Sequence, residues 1–280
     1  MEKWRLLELE DVDGPTSAAV DEALLTAVGA GQSPSSLRFY TWSGSWLCLG
    51  SAQTARQEVD LAACERLGIE VCRRLSGGTA TLNEHILGFS LVVPTGHALA
   101  TGGIIDTYRR VGPALLAAME ALSLDVEAVA PEQTRLSDPD DPAAAIARKF
   151  CFLGLAPYEV LSRGRKLVGH SQVRRRQAIL YHGAMLLDFD PWRLASVLRF
   201  SEEAERELAA EHLAARVTSL RQAQGPAAAS AGEAAAALER AFRSVLGIDL
   251  GPGDLTSPEA DLALSLREQK YANQEWTFRR

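Results

Sequence analysis

An α+β domain carrying a helical C-terminal extension is the fold class this sequence predicts, and three observations predict it. Strand-like and helix-like stretches are mixed from residue 4 to about residue 190 without a repeating strand–helix–strand unit. Beyond Asp188–Pro191 every periodic stretch is helical. No segment repeats another. At 280 residues the chain can fill one large domain or two modest ones. The expected division is 1–222 for the α+β domain and 223–280 for a helical extension packed on it.

The elements follow in order. WRLLEL (4–9) alternates as a strand does. Thr16 or Ser17 can cap a helix to about Val28, stopped by Gly29 and Gly31, with Val20, Ala23, Leu24 and Ala27 on one apolar face. SLRFYTW (36–42) and WLCL (46–49) read as two strands joined through Ser43-Gly44-Ser45, a hairpin signal. Residues 54–67 form a second helix closed by Gly68. Strands are then expected at 69–73, 79–83 and 87–93, with the turn Ser76-Gly77-Gly78 between the first two. Residues 102–122 are helical, with Pro113 in a first turn or at a kink. Residues 131–142 are a polar loop bounded by prolines. A strand at 158–161, the turn Gly164-Arg165-Lys166, and a further strand ending in His182-Gly183 follow. Helices are expected at 202–213, at 233–246 (with Leu238, Phe242 and Val245 on one face) and from Ser257-Pro258-Glu259 onward, separated by a small-residue linker at 222–231.

Composition narrows the function. Apolar residues make up 47% and charged residues 23%, ordinary values for a soluble globular protein. No apolar run approaches a membrane span, and the acidic N-terminus has no signal-peptide core, so no membrane association and a cytoplasmic location are expected. A net charge of −7 argues against general nucleic-acid binding. Cys48, Cys64, Cys72 and Cys151 form no CxxC pair and no zinc-like spacing, so neither a metal nor a disulfide framework is expected. Arg163, Arg165, Lys166 and Arg174–Arg176 fall within fourteen residues. Such a patch can steer an acidic partner onto an acidic protein.

Four features can carry chemistry, and each has a plainer alternative. Arg73-Arg74-Leu75-Ser76-Gly77-Gly78 places paired glycines, whose N–H groups can bind an oxyanion, beside two forked cations; the alternative is a tight hairpin with a basic flank. Cys151 alone among the cysteines is followed by a polar, cationic stretch that would favour its thiolate, and a thiolate can exchange one thioester for another before an amine attacks; the alternative is a buried packing cysteine. Lys166, leading a strand toward Gly169, can hold a carbonyl or carboxylate oxygen as charge develops on it, or it can be a solvated turn lysine. His182-Gly183 offers a base and a close backbone approach, or a structural histidine at a strand end.

Read together, VDEALL (20–25), SLRFYTW (36–42), RRLSGGTATLNEH (73–85), GRKLVGHSQ (164–172), LYHGAMLL (180–187) and KYANQEW (270–276) resemble, in order and over nearly the whole chain, the biotin/lipoate protein ligase and transferase superfamily. The resemblance implies a mixed central sheet flanked by helices, with a pocket between the Arg-Arg turn and the Gly-Arg-Lys strand. Within that superfamily the chain is similar to the lipoate–protein ligase and octanoyltransferase branch. One octanoyltransferase type carries its cysteine after the His-Gly strand, where this chain has none. The other has it in a Cys-Phe stretch before Gly-Arg-Lys, as Cys151-Phe152 stands here. The resemblance therefore implies an acyltransferase with Cys151 as nucleophile and Lys166 orienting the acyl carbonyl. Arg73, Arg74, Ser76, Gly77, Gly78, Thr79, Asn83, Gly169, His182 and Gly183 would line the substrate site. Octanoate would pass from acyl carrier protein to a lysine of a lipoyl-domain protein, such as the glycine cleavage H protein or a 2-oxoacid dehydrogenase E2, with no cofactor. The arginine run would meet the carrier. The other readings are an ATP- and Mg2+-dependent lipoate ligase, and a non-catalytic binding protein. Thr79, Asn83 and His170-Ser171 depart from the usual pattern close to the expected pocket.

Overall fold

The computed structural model describes residues 2–134 and 154–279. Cys151 and residues 135–142 of the proline-bounded loop lie outside the described residues. The strands are β1 (Lys3–Val12), β2 (Ser36–Trp42), β3 (Ser45–Leu49), β4 (Ile69–Arg73), β5 (Thr81–Asn83), β6 (Ile86–Pro94), β7 (Val126–Ala128), β8 (Val160–Ser162), β9 (Arg165–Arg174), β10 (Ala178–Leu186) and β11 (Asp249–Pro252). The helices are α1 (Gly14–Gly29), α2 (Ala55–Glu58), α3 (Leu61–Arg66), α4 (Ile104–Ala121), α5 (Pro191–Ser196), α6 (Glu203–Arg216), α7 (Leu220–Gln224), α8 (Ala231–Leu246), α9 (Ser257–Leu266) and α10 (Gln274–Thr277). None of these helices is long and apolar enough to cross a membrane.

Eight strands form one mixed sheet in the order β11-β1-β2-β6-β10-β9-β8-β7, and β4-β3-β5 form a second, smaller sheet. Helices flank the main sheet, so the fold is α+β. The alternation of side chains along a strand assigns its two faces. Ile179 and Tyr181 of β10 join Phe89, Leu115, Met119 and Phe242 in the core under α4 and α8. Ala178 and Leu180 join Val20, Leu24 and Ala263 under α1 and α9. The Phe89 ring lies 5.9 Å from Phe242 and 6.2 Å from Tyr181. Each fully buried side chain of this size contributes roughly 1.5–3 kcal/mol. The second sheet has its own core, where Leu47, Leu49 and Leu82 meet Leu194 of α5 and Leu213 of α6.

Several local expectations are corrected. The cap of α1 is Asp13, whose carboxylate accepts from the Thr16 N–H at 2.6 Å, with Pro15 in the first turn. β2 and β3 do not form a hairpin. At Gly44 (φ +80°) the chain leaves the main sheet, and β3 pairs with β4 and β5 instead. The single helix expected over 54–67 is two, because Val59 bridges to Leu198 and Asp60 starts a new cap on the Ala63 N–H. Pro113 sits well inside α4 rather than in its first turn. His182-Gly183 lie in the middle of β10, not at its end. Val245 is exposed, off the buried face that Leu238 and Phe242 share. Finally, the segment after residue 190 is not helical throughout. β11 adds to the main sheet beside β1, in parallel, and Arg5 of β1 forks onto Glu259 of α9 at 2.6 and 2.7 Å.

Candidate active site

The small and main sheets meet at a cleft of about 790 Å3, counting its open mouth. One wall is the turn after β4. Gly78 holds φ +90° there, a conformation that side chains rarely adopt. Gly50 packs against it so closely that a Cβ would fall 1.8 Å from the Gly78 carbonyl oxygen. Arg74 fastens the turn from inside: its guanidinium donates to the carbonyls of Cys48 (2.8 Å), Gly77 (2.9 Å) and Thr79 (2.9 Å), and to Ser76 Oγ (3.2 Å). The strands flanking this turn, β4 and β5, are not neighbours, because β3 lies between them. The turn is therefore a crossover loop and not a hairpin.

Opposite stands β9. Lys166 is 2% exposed. Its Nζ is 2.7 Å from the Glu159 carboxylate and donates to the Gly154 carbonyl at 3.0 Å. Glu159 also accepts from the Ala156 N–H at 2.8 Å and the His170 N–H at 3.3 Å. Burial raises the Glu159 carboxyl above its usual range, and the Lys166 charge opposes the rise. His170 Nε2 lies 3.1 Å from the Pro157 carbonyl and Nδ1 2.9 Å from the Tyr181 hydroxyl. A carbonyl only accepts, so Nε2 carries the proton and Nδ1 accepts from Tyr181. Tyr108 stacks on the ring with centroids 4.0 Å apart. Both ring nitrogens are thus committed, and the segment Gly154–Glu159 is tied to the cleft at three points.

Between the two walls runs the middle of β10. His182 Nε2 hydrogen-bonds Ser76 Oγ at 2.7 Å, and its Nδ1 is 3.9 Å from Asp21 Oδ2, beyond hydrogen-bond reach. Asp21 is held instead by the buried Arg38 (3.1 Å) and the Ser90 hydroxyl (2.9 Å). Gly183 allows close packing, since a Cβ there would lie 2.3 Å from the Phe89 ring.

Of the residues singled out in the sequence, Arg74, Asn83, Lys166, Gly169, His182 and Gly183 line the cleft together. Ser76 touches it through His182, and Gly77, Gly78 and Thr79 form the turn behind it. Arg73 points the other way. It is fully buried, and its guanidinium donates to the carbonyls of Gly50 and Gln53 (both 2.8 Å), Trp276 (3.1 Å) and Thr277 (2.8 and 3.0 Å). It fastens the C-terminal segment, not a ligand. The arginine run is also partly committed: Arg174 donates to Gly102 O at 3.0 Å and Thr107 Oγ1 at 3.3 Å, and Arg175 pairs with Glu22. Among the described residues no cluster of three His, Cys, Asp or Glu side chains is placed to hold a metal ion.

Burial, with Lys166 nearby, lowers the His170 imidazole to about 3. Unfolded, it titrates near 6.5. Across that window the unfolded chain binds the extra proton, so His170 costs stability as pH falls from 6.5 toward 3. His170→Gln is therefore expected to flatten the fall in Tm between neutral pH and about pH 4. Parallel thermal melts of the two proteins check this, and identical slopes would contradict it.

Comparison with known proteins bears on what this cleft is. A family model described as the lipoyl protein ligase A/B catalytic domain matches residues 13–243. The chain belongs to that family. Its relatives include the octanoyltransferase LipM of Kyrpidia tusciae, 35% identical over all of both chains. Octanoyltransferase LipM of Symbiobacterium thermophilum is 36% identical, over 99% of this chain and 98% of its own. Among solved structures, the bipartite lipoate protein ligase of Thermoplasma acidophilum, from an archaeal lipoylation system with an E2 lipoyl domain, superposes with a TM-score of 0.80 at 28% identity. It covers 99% of this chain and 97% of its own. A lipoate–protein ligase A bound with ATP gives 0.76 at 29% identity, over 99% of both.

As a lipoyl protein ligase A/B family member, the chain divides its own motifs between those that build the cleft and those that brace it. The KYANQEW stretch braces. Lys270 and Tyr271 both donate to Glu22 at 2.6 Å, and the Trp276 indole N–H donates to the Arg73 carbonyl at 3.0 Å. Glu159, Asp21, His170 and Cys48 also line the cleft, and residue type alone does not single them out. Asp21 lies inside VDEALL, its only signal, and Glu159 lies outside the six resembling stretches. His170 was visible as a departure from pattern. Nothing marked Cys48.

Proposed function

We propose that this protein is an octanoyltransferase of protein lipoylation. It takes octanoate from acyl carrier protein onto Cys151 and passes it to a lysine of a lipoyl domain. One observation carries the site assignment: the Gly154 carbonyl accepts from Lys166 Nζ in the cleft. Three peptide units link Gly154 to Cys151, no more than about 11 Å of chain. That reach supports a thiol working beside the Lys166 ammonium. The full-length likeness to octanoyltransferases supports the reaction class.

In this reading the Cys151 thiolate attacks the octanoyl thioester carbon, and the carrier thiolate leaves and takes a proton. The acceptor amine then attacks the Cys151 thioester. An amide forms, the amine gives up a proton and the Cys151 thiolate returns. In both steps negative charge collects on the acyl oxygen, where the Lys166 ammonium opposes it. Glu159 holds that ammonium in place, and Arg74 holds the turn that shapes the opposite wall. The first step exchanges one thioester for another and so needs no activating nucleotide.

The test is to mix the protein with octanoyl carrier protein, without ATP, and map adducts by mass spectrometry. An octanoyl group on Cys151 that moves to a lipoyl domain is the expected result. The ligase-like superpositions favour the second reading, an ATP-dependent ligase. Acceptor modification only with ATP and free acid would replace the first reading with it.

A further inference from the structure

Two thiols stand in register in the wall of the cleft. Cys48 of β3 and Cys72 of β4 are direct partners on neighbouring parallel strands. Their side chains leave the sheet on the same face, with Cα atoms about one strand spacing, ~4.8 Å, apart. That lies inside the roughly 4.4–6.8 Å that a disulfide spans without moving the backbone. Both are free and buried, and they hydrogen-bond each other in a small cluster with Trp42 and Trp46. Only Cys48 of the pair lines the cleft. Cys72 lies behind it against Gly14, where a Cβ would come 2.8 Å from its sulfur.

The two sulfurs are not equivalent. The hydrogen bond from Cys72, aided by the Arg74 charge, holds the Cys48 thiol below the ordinary range, while that bond, burial and the neighbouring Cys48 push Cys72 well above it. Cys64 gives an internal contrast. On α3, burial and the Asp60 charge raise its thiol to about 11. The pair therefore has a cleft-facing sulfur suited to attack and a resolving thiol already in contact with it.

We propose that Cys48 and Cys72 are an oxidisable dithiol, a modification site that takes a hydroperoxide entering by the cleft and closes as a Cys48–Cys72 disulfide. The Cys48 thiolate attacks the O–O bond. Cys48 becomes a sulfenic acid, and the second oxygen leaves and takes a proton. Cys72 then attacks the sulfenic sulfur, the S–S bond forms, and the hydroxide leaves as water with the Cys72 proton. Two thiols give two electrons to one peroxide. A thiol reductant reverses the change. The site does not involve Cys151 and stands whether or not the acyl-transfer reading does.

Hydrogen peroxide on the full-length Cys151→Ser chain tests it, followed by denaturation, alkylation with N-ethylmaleimide and peptide mapping. The expected product has lost the mass of two hydrogens, carries one label on Cys64, and yields a linked Cys48–Cys72 peptide that dithiothreitol abolishes. The same linkage is expected in the unsubstituted chain. In Cys151→Ser/Cys72→Ala, Cys48 loses the hydrogen bond from Cys72 and should react more slowly with peroxide, and what does react should stop at a sulfenic acid that dimedone traps. Full labelling of all three thiols after peroxide, linkage through Cys64, or irreversible double oxygenation of Cys48 while Cys72 is present would each overturn the proposal.

Discussion

Lys166→Met is expected to lower octanoyl transfer by roughly a hundred- to a thousand-fold, the usual loss when one group that stabilises a developing oxyanion is removed. It should also destabilise the fold, because Glu159 is left buried without its 2.7 Å partner. Breaking one side of a buried ion pair costs about 3–5 kcal/mol. Glu159 keeps the Ala156 and His170 N–H bonds and burial already raises its carboxyl, so the lower end, about 3 kcal/mol, is expected. The two losses have different causes and can be separated. Lys166→Met/Glu159→Gln removes the uncompensated charge and should recover most of the stability while transfer stays low. Lys166→Arg should not rescue transfer. A Cβ at Gly169 would already lie 3.1 Å from Lys166 Cε, and a guanidinium needs more room than the ammonium beyond it. Steady-state transfer rates beside denaturant melts of the three variants check this. Recovery of transfer in the double variant would remove Lys166 from the chemistry.

Arg73→Ala is expected to be the most damaging single change to stability. The side chain is fully buried, and it satisfies carbonyls from the Gly50–Gln53 loop and from the C-terminal segment at once. Hydrogen bonds from a charged group contribute about 1.5–3 kcal/mol each, and orphaned buried acceptors add their desolvation cost. A net loss of about 3–5 kcal/mol follows, with a fall in Tm on the order of 10 °C for a chain of this size. Arg73→Lys should recover little, because one ammonium cannot reproduce a planar fork that faces carbonyls on two sides. Activity per folded molecule should fall less than stability does, since Arg73 faces away from the cleft. Thermal melts and transfer rates normalised to folded protein check both points. A Tm within about 2 °C of the parent protein would contradict the assignment.

Local chemistry made much of this legible in the sequence. Apolar periodicity located most strands and the long helices, because a strand must alternate and a helix must stripe to bury one face. The Arg-Arg-x-Ser-Gly-Gly turn, Lys166 and His182-Gly183 could be singled out because glycines, cations and an imidazole are unusual at such spacing. Their resemblance to a known family joined them into one cleft. Position along the chain could not tell Arg73 from Arg74. They are adjacent residues of the same type, and successive side chains leave the backbone in opposite directions, one into the cleft wall and one toward the C-terminal segment.

By itself, then, the sequence determined the α+β class, the family and the candidate nucleophile and cation, because each depends on residue type and short-range order. Tertiary structure alone decided what depends on residues far apart in the chain. It sent β3 into a second sheet, brought β11 back beside β1, and turned KYANQEW into a brace on Glu22 and Arg73. It closed His170 around Pro157 and Tyr181, and it aligned Cys48 with Cys72. Such contacts form where long-range pairing satisfies buried polar groups, and no local pattern records which distant partner will do so.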